Sequence, residues 1–363
     1  MKILILANSD IGLYKFRKEL IENLLLNHEV YICLPEGQYI SNLMEKGCKY
    51  ILCECLQRHG TNPFVDIKLV MFYKKVLKAI KPDFVFTYTI KPNVYGGMAC
   101  ASARVPYITN ITGLGMALEN EGVLQKITLF LYRYGLRRAR KVFFQNVNNC
   151  EFMLEHDVVK TAYDLLPGSG VNLSQYKLME YPKGENIEFA FIARIMKEKG
   201  INQYLDMAKQ IKIKFPNTVF HVCGFCETDY EDELEKLESQ GIIKYHGLVD
   251  DMTKIYEKIS CTIHPSYYPE GLSNVLLESA ASGRAIITTN RSGCAEVIDD
   301  GINGFIVKQQ DSKDLIEKVE QFLMLTWEER RDMGLAGRRK VEKEFDRQIV
   351  VNKYLEEIKN GHC

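Results

Sequence analysis

Two basic side chains follow an apolar segment in the second half of the chain. Residues 189–193 have the composition of a buried strand, Arg194 comes next, and Lys199 precedes Gly200 at the start of an amphipathic stretch. An arginine fork and a lysine ammonium beside a helix N-terminus all present positive charge, which suits a diphosphate. Two solvated surface cations would show the same spacing, so the pattern by itself leaves both interpretations open.

Two glutamates eight residues apart lie further along the chain. Glu270 follows a strand-like run and a loop rich in proline and tyrosine, and Glu278 lies in an apolar helical stretch. A buried carboxylate needs hydrogen-bond donors such as sugar hydroxyls, and amides that open a helix can receive phosphate. The alternative is that Glu270 is only a helix N-terminal charge and Glu278 is partly exposed. The catalytic candidates are Glu270, Arg194 and Lys199, and the binding candidates are Glu278, Gly271, Leu272, Ser273 and Asn274, of which Ser273 or Asn274 can cap the helix.

The elements that must position these residues alternate along the whole chain. Short apolar runs alternate with amphipathic stretches, which is typical of βα units around a parallel sheet. We predict the α/β class, with two doubly wound, Rossmann-like parallel-sheet domains that face a cleft, where such sheets bind ligands. The predicted strands of the first domain are residues 2–7, 28–34, 84–88, 107–110 and 142–145. Those of the second domain are residues 187–195, 218–223, 243–246, 261–264 and 285–288.

A turn-rich segment over residues 167–184 separates the two series of elements. It predicts an N-terminal domain over residues 1–170, a linker over 171–186 and a C-terminal domain over 187–344. The length of 363 residues also fits two domains, and it excludes a single small binding module.

The composition narrows the class of protein. The chain is 46% hydrophobic and 26% charged, with 47 basic and 47 acidic side chains, as in folded soluble proteins. Residues 1–166 carry 21 Lys and Arg against 15 Asp and Glu, so the first half is basic and the second is acidic. Eleven cysteines without a signal peptide indicate a reducing compartment rather than a disulfide scaffold. No apolar stretch approaches the ~20 residues that cross a bilayer.

Several common nucleotide-binding motifs are absent from the sequence. There is no complete G-x-G-x-x-G, which disfavours a dinucleotide dehydrogenase, and there is no P-loop motif. No Asp-x-Asp occurs, so the motif of metal-dependent sugar transferases is missing, and we expect neither a metal nor a cofactor. A nucleic-acid partner is disfavoured because the net charge is zero and no ribonucleoprotein motif is present.

The order and spacing of the two cations and the two glutamates resemble the signature of the retaining glycosyltransferases of family 4, which have the GT-B fold. Residues 292–297, 301–305 and 330–345 fit the same pattern, so the resemblance covers essentially the whole chain. It implies that the protein transfers a sugar from a nucleotide sugar without an essential metal, and that Arg194 and Lys199 hold the diphosphate. It also implies that Glu270 touches the donor sugar, that Glu278 binds the ribose, and that a last helix over residues 345–363 crosses back to the N-terminal domain.

The N-terminal half is similar to a narrower group, the bacterial enzymes that build capsule, O-antigen and glycan intermediates on undecaprenyl diphosphate. The similarity lies in residues 12–20, 87–96 and 112–115. Many relatives carry a histidine that contacts the donor from a first-domain loop, but Ile90 stands at the comparable position here, so no histidine role is assigned. Lys91 is either an acceptor or phosphate contact or a solvated lysine. The acceptor-side candidates are Gly12, Arg17, Lys91, Asn93, Thr112 and Gly113.

The resemblance predicts a retaining glycosyltransferase that moves a hexose or N-acetylhexosamine, of the galactose, N-acetylgalactosamine or N-acetylglucosamine class, from a UDP-linked donor. The acceptor is a saccharide on undecaprenyl diphosphate, in the synthesis of a bacterial surface polysaccharide or glycan. The alternatives are a GT-B nucleotide-sugar epimerase and a non-enzymatic subunit that binds a nucleotide sugar.

A basic amphipathic stretch over residues 123–144 bears on the location of the protein. It mixes apolar residues with five cations between Arg133 and Lys141. Such a stretch either packs as an ordinary core helix with a basic last turn or lies on an anionic membrane surface. A lipid-linked acceptor favours the membrane, so we expect a cytoplasmic protein that is peripheral at the inner face of the plasma membrane.

Overall fold

The computed structural model describes residues 1–56 and 63–360. The chain divides into two compact units, of which unit 1 comprises Met1–Gly170 with Arg347–Cys363 and unit 2 comprises Val171–Asp346. The predicted linker, residues 171–186, belongs to unit 2. The last three residues of the predicted C-terminal helix lie outside the described residues. Each unit contains one parallel sheet covered by helices, which confirms the α/β class and the two Rossmann-like domains.

Unit 1 is built on a seven-stranded sheet. Its strands are β1 (Lys2–Leu6), β2 (Glu29–Leu34), β3 (Lys49–Leu52), β4 (Phe84–Tyr88), β5 (Tyr107–Ile111), β6 (Lys141–Phe144) and β7 (Tyr163–Leu165). Their order is β3-β2-β1-β4-β5-β6-β7, and all neighbours are parallel. The five predicted strands are present, whereas β3 and β7 were not predicted, because both are short edge strands.

Helices cover both faces of the sheet of unit 1. Ile3 and Ile5 of β1 point into one core, and the alternating Leu4 and Leu6 point into the core on the opposite face. A short π-helical segment, Pro92–Gly96, follows β4. The α-helices of this part are α1 (Asp10–Phe16), α2 (Lys18–Leu25), α3 (Ile40–Glu45), α4 (Pro63–Ile80), α5 (Gly97–Ala103), α6 (Met116–Glu119), α7 (Val123–Leu136) and α8 (Val147–Glu155).

Unit 2 repeats this architecture with six strands. The strands are β8 (Ile187–Ile192), β9 (Thr218–Cys223), β10 (Lys244–Tyr245), β11 (Cys261–His264), β12 (Ala285–Thr289) and β13 (Gly304–Val307). They form the order β10-β9-β8-β11-β12-β13, again in parallel. The helices are α9 (Ile201–Lys214), α10 (Glu231–Ser239), α11 (Thr253–Tyr256), α12 (Asn274–Ala281), α13 (Ser312–Met324) and α14 (Trp327–Glu344). A capping box formed by Thr326 and Glu329 begins α14.

The last helix, α15 (Arg347–Lys359), packs in unit 1. The ring of Tyr354 lies 5.0 Å from that of Phe86 and 4.9 Å from that of Phe143, and its hydroxyl accepts a 2.7 Å hydrogen bond from Asn110. Arg347 is 5% exposed and donates to the carbonyl of Gly170 at 3.0 Å through Nη2. Its Nη1 donates to the carbonyl of Lys15 at 3.0 Å and to the carboxylate of Glu19 at 2.8 Å.

Two further features of the described residues concern location and redox state. The ten cysteines resolved there are free thiols. No helix in the same part of the chain is long and apolar enough to span a bilayer.

The buried guanidinium of Arg347 predicts a stability effect. Arg347→Met removes hydrogen bonds to two carbonyls and the ion pair with Glu19, so we expect unfolding of unit 1 to become easier by about 3 kcal/mol in a urea titration. Lys343→Met, in α14, is the control, because that side chain is 82% exposed and we expect no measurable change. Equal stability of the two variants would show that Arg347 does not hold α15 in place.

Candidate active site

The predicted catalytic residues meet at one position in the sheet of unit 2. The strand order reverses between β8 and β11, which are direct neighbours. The carboxyl ends of strands at such a reversal form the crevice in which doubly wound sheets bind ligands. Arg194 and Lys199 follow β8, and Glu270 follows β11, so the fold brings together groups that lie more than seventy residues apart in sequence.

An ion pair between Lys199 and Glu270 is the centre of this site. The two side chains are only 10% and 14% exposed. Ser266 donates to Oε1 of Glu270 at 3.5 Å, and Nε2 of the buried His264 lies 3.7 Å from the same oxygen. Burial raises the pKa of Glu270, but the charge of Lys199 and the contact with His264 outweigh it and hold that pKa below its usual range. Glu270 is therefore an ionised carboxylate at neutral pH.

A glycine fixes the approach of Lys199 to Glu270. Lys199 ends a short 3-10 turn, and Gly200 follows it with a φ of +79°. A Cβ at Gly200 would lie 2.1 Å from the carbonyl oxygen of Pro265, in the loop that leads from β11 to Glu270. Only glycine allows this close backbone approach in the left-handed region. The turn after β8 therefore packs directly on the loop after β11.

The second cation, Arg194, forms an ion pair with Glu227. The ring of Tyr268 lies beside both cations, with its centroid 5.4 Å from Cζ of Arg194 and 4.9 Å from Nζ of Lys199. Cations at these distances are attracted by an aromatic ring. Tyr268 and Glu227 were not predicted as site residues. Tyr268 lies inside the predicted loop and could have been noticed there, whereas the sequence around Glu227 gives no signal.

The start of α12 differs in part from the prediction. Ser273 occupies the N-cap position, but its side chain makes no capping hydrogen bond. Its amide donates to the carbonyl of Gly293 at 2.7 Å, and its hydroxyl lies 3.4 Å from Nε2 of His264. Ser273 thus links two loops of the site. Asn274 is the first residue of α12 and does not cap it either, and its buried Oδ1 has no hydrogen-bond partner among the described residues.

The second glutamate, Glu278, lies in α12 and is half-buried. The hydroxyl of Tyr256 lies 3.4 Å from its Oε2 and 3.3 Å from the carbonyl oxygen of Val275. Burial and the nearby charge of Glu278 raise the pKa of Tyr256, so this hydroxyl keeps its proton and can donate it. Tyr256 is a third residue that the sequence did not single out. Gly271 and Leu272 are buried in the segment between the two glutamates.

Four of the acceptor-side candidates lie at the corresponding reversal in unit 1, between β1 and β4. Gly12 lies in α1, and Arg17 follows that helix. Arg17 is only 4% exposed: it donates to the carbonyl of Phe16 at 2.8 Å, and its Cζ lies 5.1 Å from the ring centroid of Tyr88. Its buried Nε has no hydrogen-bond partner among the described residues.

Lys91 and Asn93 follow β4 and are tied to their surroundings. Lys91 forms a 3.0 Å ion pair with Asp66, in which the side chains are 17% and 12% exposed. The alternative of a solvated lysine is therefore wrong. Asn93 is fully buried and donates to the carbonyl of Asn110 at 2.9 Å. The remaining two candidates, Thr112 and Gly113, are half-buried in the loop after β5.

Two family models match the chain. The model described as "Glycosyl transferase 4-like" matches residues 2–146, and the model described as "Glycosyl transferases group 1" matches residues 180–340. Between them they span most of both units. The chain belongs to these glycosyltransferases. The two-sheet architecture of the enzyme is accordingly the GT-B fold that the sequence predicted.

Two bacterial glycosyltransferases are among the relatives of this glycosyltransferase. An N,N'-diacetylbacillosaminyl-diphospho-undecaprenol alpha-1,3-N-acetylgalactosaminyltransferase of Campylobacter jejuni is 29% identical over 98% of this chain and 97% of that protein. A capsular polysaccharide biosynthesis glycosyltransferase of Staphylococcus aureus is 26% identical over 78% of this chain and 80% of that protein.

Solved structures of similar fold cover almost the whole enzyme. A glycosyltransferase of Rickettsia africae has a TM-score of 0.81 at 19% identity, over 99% of this chain and 98% of that one. The Anabaena protein HepE, solved in complex with UDP and glucose, has a TM-score of 0.79 at 17% identity, over 99% of each chain.

The ion pair at the site predicts a pH-dependent stability effect. The lowered pKa of Glu270 means that its stabilising contribution is present above its ordinary pKa of 4.5 and is lost only as the pH falls through the much lower pKa of the folded state. Lys199→Met removes the main lowering influence and leaves burial to raise that pKa, so Glu270 of the variant is protonated near pH 4 while that of the wild type stays ionised. We therefore expect Lys199→Met to destabilise the enzyme by about 3 kcal/mol near pH 7 and by less near pH 4, measured by urea unfolding.

A matched control for this prediction lies in the same turn. Lys197 is exposed, and Lys197→Met should cost little at either pH. A loss for Lys199→Met that is equal at both pH values would contradict an ionised partner at Glu270.

Proposed function

We propose that the enzyme transfers a hexose or N-acetylhexosamine, with retention of anomeric configuration and without a metal ion, from a UDP-sugar to a saccharide on undecaprenyl diphosphate. The reaction serves the synthesis of a bacterial surface polysaccharide or glycan and takes place at the inner face of the plasma membrane. The observation that carries the proposal is the arrangement of Arg194, Lys199 and Glu270 at the strand-order reversal of unit 2.

The two cations support a role in balancing the charge of the leaving diphosphate. Negative charge grows on the diphosphate as its bond to the anomeric carbon breaks, and preorganised cations stabilise such charge. Lys199 is held by Glu270 and Arg194 by Glu227, and Tyr268 lies beside both, so neither cation has to be ordered when the donor binds. Positive side chains in these positions take the part that a metal ion plays in other transferases.

The two glutamates support different roles. Glu270 stays ionised, so it cannot donate a proton; it can accept hydrogen bonds from sugar hydroxyls and stabilise positive charge at the anomeric carbon. Glu278 is oriented by the hydroxyl of Tyr256 and lies eight residues further on, where a carboxylate can accept hydrogen bonds from the two ribose hydroxyls. Glu270 thus acts in the reaction and Glu278 in binding.

The acceptor side of the proposal is supported by the relatives. The Campylobacter jejuni transferase named above acts on a diphospho-undecaprenol, and its similarity covers 98% of this chain. Gly12, Thr112 and Gly113 are half-buried and support an acceptor contact, since Arg17 and Asn93 are buried and Lys91 is paired with Asp66.

The direct test of this function is a product assay. The enzyme is incubated with a panel of UDP- and GDP-sugars and an undecaprenyl-diphosphate-linked saccharide, and the product is analysed by mass and by the configuration of the new linkage. We expect one UDP-linked sugar to be transferred with retention, and we expect turnover to persist in EDTA. Arg194→Ala and Lys199→Ala should each lower kcat by about 10²–10³-fold, as the loss of a charge-stabilising donor does.

Three results would contradict the proposal. Loss of activity in EDTA with recovery on adding a divalent ion would refute the metal-free mechanism. An inverted linkage would refute retention. Conversion of the UDP-sugar in the absence of any acceptor would indicate an epimerase instead.

The division of labour between the two glutamates gives a further prediction. Glu278→Ala should weaken UDP binding by about tenfold, because it removes a charged hydrogen-bond acceptor, and Glu270→Ala should chiefly lower kcat. Calorimetry with UDP and steady-state kinetics separate the two effects. Glu235→Ala, at an exposed position of α10, is the control for both. Unchanged UDP affinity in Glu278→Ala would refute the ribose contact.

A further inference from the structure

The helix α7 carries apolar side chains on both of its sides. Its inner side packs Leu129, Tyr132 and Leu136 into the core. Its outer side exposes an apolar row with the i, i+4, i+7, i+11 spacing of a single helix face. The row consists of Val123, Ile127, Phe130 and Tyr134, which are 47–74% exposed. A helix in contact with water alone has no physical reason to present such a row.

The helix α4 repeats this pattern beside the same core. Leu69 and Tyr73 point inward and share one apolar core with the inner residues of α7. Phe64, Ile67 and Met71 point outward and are 57–78% exposed. Because both helices cover the same face of the sheet of unit 1, their outer rows point away from the same side of that unit.

Cations border both apolar rows. Asp66 is the only acidic residue in either helix, and it is buried in the ion pair with Lys91. Glu119 and Glu121 precede α7 in the chain. The exposed cations of the two helices and of the residue that follows α7 are Lys68, Lys74, Lys75, Lys78, Lys126, Arg133 and Arg137.

This surface differs from the basic cluster that the sequence indicated. Arg140 and Lys141 do not extend α7: Lys141 begins β6, and both side chains pair with Glu357 of α15. One carboxylate therefore offsets part of their charge within unit 1. The sequence did not indicate the exposed apolar residues of α4. Basic and apolar residues are mixed along that segment of the chain, and they separate only when the helix forms.

We propose that the outer rows of α4 and α7, with the seven cations beside them, are the surface by which unit 1 docks on an anionic lipid bilayer. Apolar side chains of an interfacial helix enter the boundary between headgroups and acyl chains, while neighbouring lysines and arginines bind headgroup phosphates. The charge on both helices is complementary to that surface. This proposal rests on the function proposed above, which places the enzyme at a membrane. It adds the residues that contact that membrane.

The test is co-sedimentation of the full chain with vesicles of phosphatidylglycerol and phosphatidylcholine, without any substrate. The variant Ile127→Glu/Phe130→Glu and the variant Met71→Glu should each bind these vesicles about tenfold more weakly than the wild type at low salt. The matched control is Ile213→Glu/Met324→Glu. It changes side chains in unit 2 that are 84% and 76% exposed, and it should bind like the wild type.

A second variant separates the charge from the apolar contact. Lys74→Gln/Lys75→Gln/Lys78→Gln should lose most of its binding to the anionic vesicles at low salt and respond less to added salt than the wild type does. Vesicles of phosphatidylcholine alone should retain the wild type weakly. Lys343→Gln, at an exposed position of unit 2, is the control for the loss of a surface charge.

The possible outcomes separate a failure of the docking surface from a failure of the proposed reaction. Wild-type binding by the α4 and α7 variants, equal loss in the unit 2 control, or no binding by the wild type would each overturn the proposal. A wild-type dimer in sedimentation velocity that the Ile127→Glu/Phe130→Glu variant abolishes would assign the face to a second copy instead. The affinity for UDP, measured by calorimetry, should be unchanged in all of these variants. The vesicle assay contains no substrate, so its result does not depend on whether the proposed reaction occurs.

Discussion

The ion pair between Lys199 and Glu270 is the interaction on which the arrangement of the candidate active site depends. It joins the segment after β8 to the segment after β11, and each partner is almost enclosed. Neither charge can be buried there alone, because the desolvation free energy of an unpaired charge would exceed the stabilisation from its other contacts. The close approach that Gly200 permits, the contact of His264 with Glu270 and the position of Tyr268 beside Lys199 all support this pair.

The two units share one topology but hold different side chains where the strand order reverses. Each sheet reverses its strand order beside its first strand, and the catalytic candidates of unit 2 and four of the six candidates of unit 1 lie at that reversal. In unit 2 the reversal holds charged groups in pairs, which suits an anionic donor. In unit 1 it holds the ion pair of Lys91 with Asp66 beside the buried side chains of Arg17 and Asn93. The two reversals therefore share a strand order but differ in the charged groups that they hold.

The helices around the sheet of unit 1 divide their apolar residues between two environments. Alternating strand residues and the inner faces of α4 and α7 fill the core, as the packing of a parallel sheet requires. The outer faces of the same two helices expose a second set of apolar residues beside lysines and arginines. The first set stabilises the unit, and the second is available for an external surface.

The sequence by itself determined the class of fold, most of the strands and the four charged residues of the candidate site. Apolar runs that alternate with amphipathic stretches depend only on local periodicity, and the gaps between the charged residues can be read directly. Short edge strands such as β3 and β7 gave too few residues for a periodic signal. The tertiary structure alone decided the partners: Glu227 for Arg194, Tyr256 for Glu278, Asp66 for Lys91 and Glu357 for Lys141. These contacts join residues that lie 22 to 216 positions apart, and such distances close only when strands from different parts of the chain pair in one sheet.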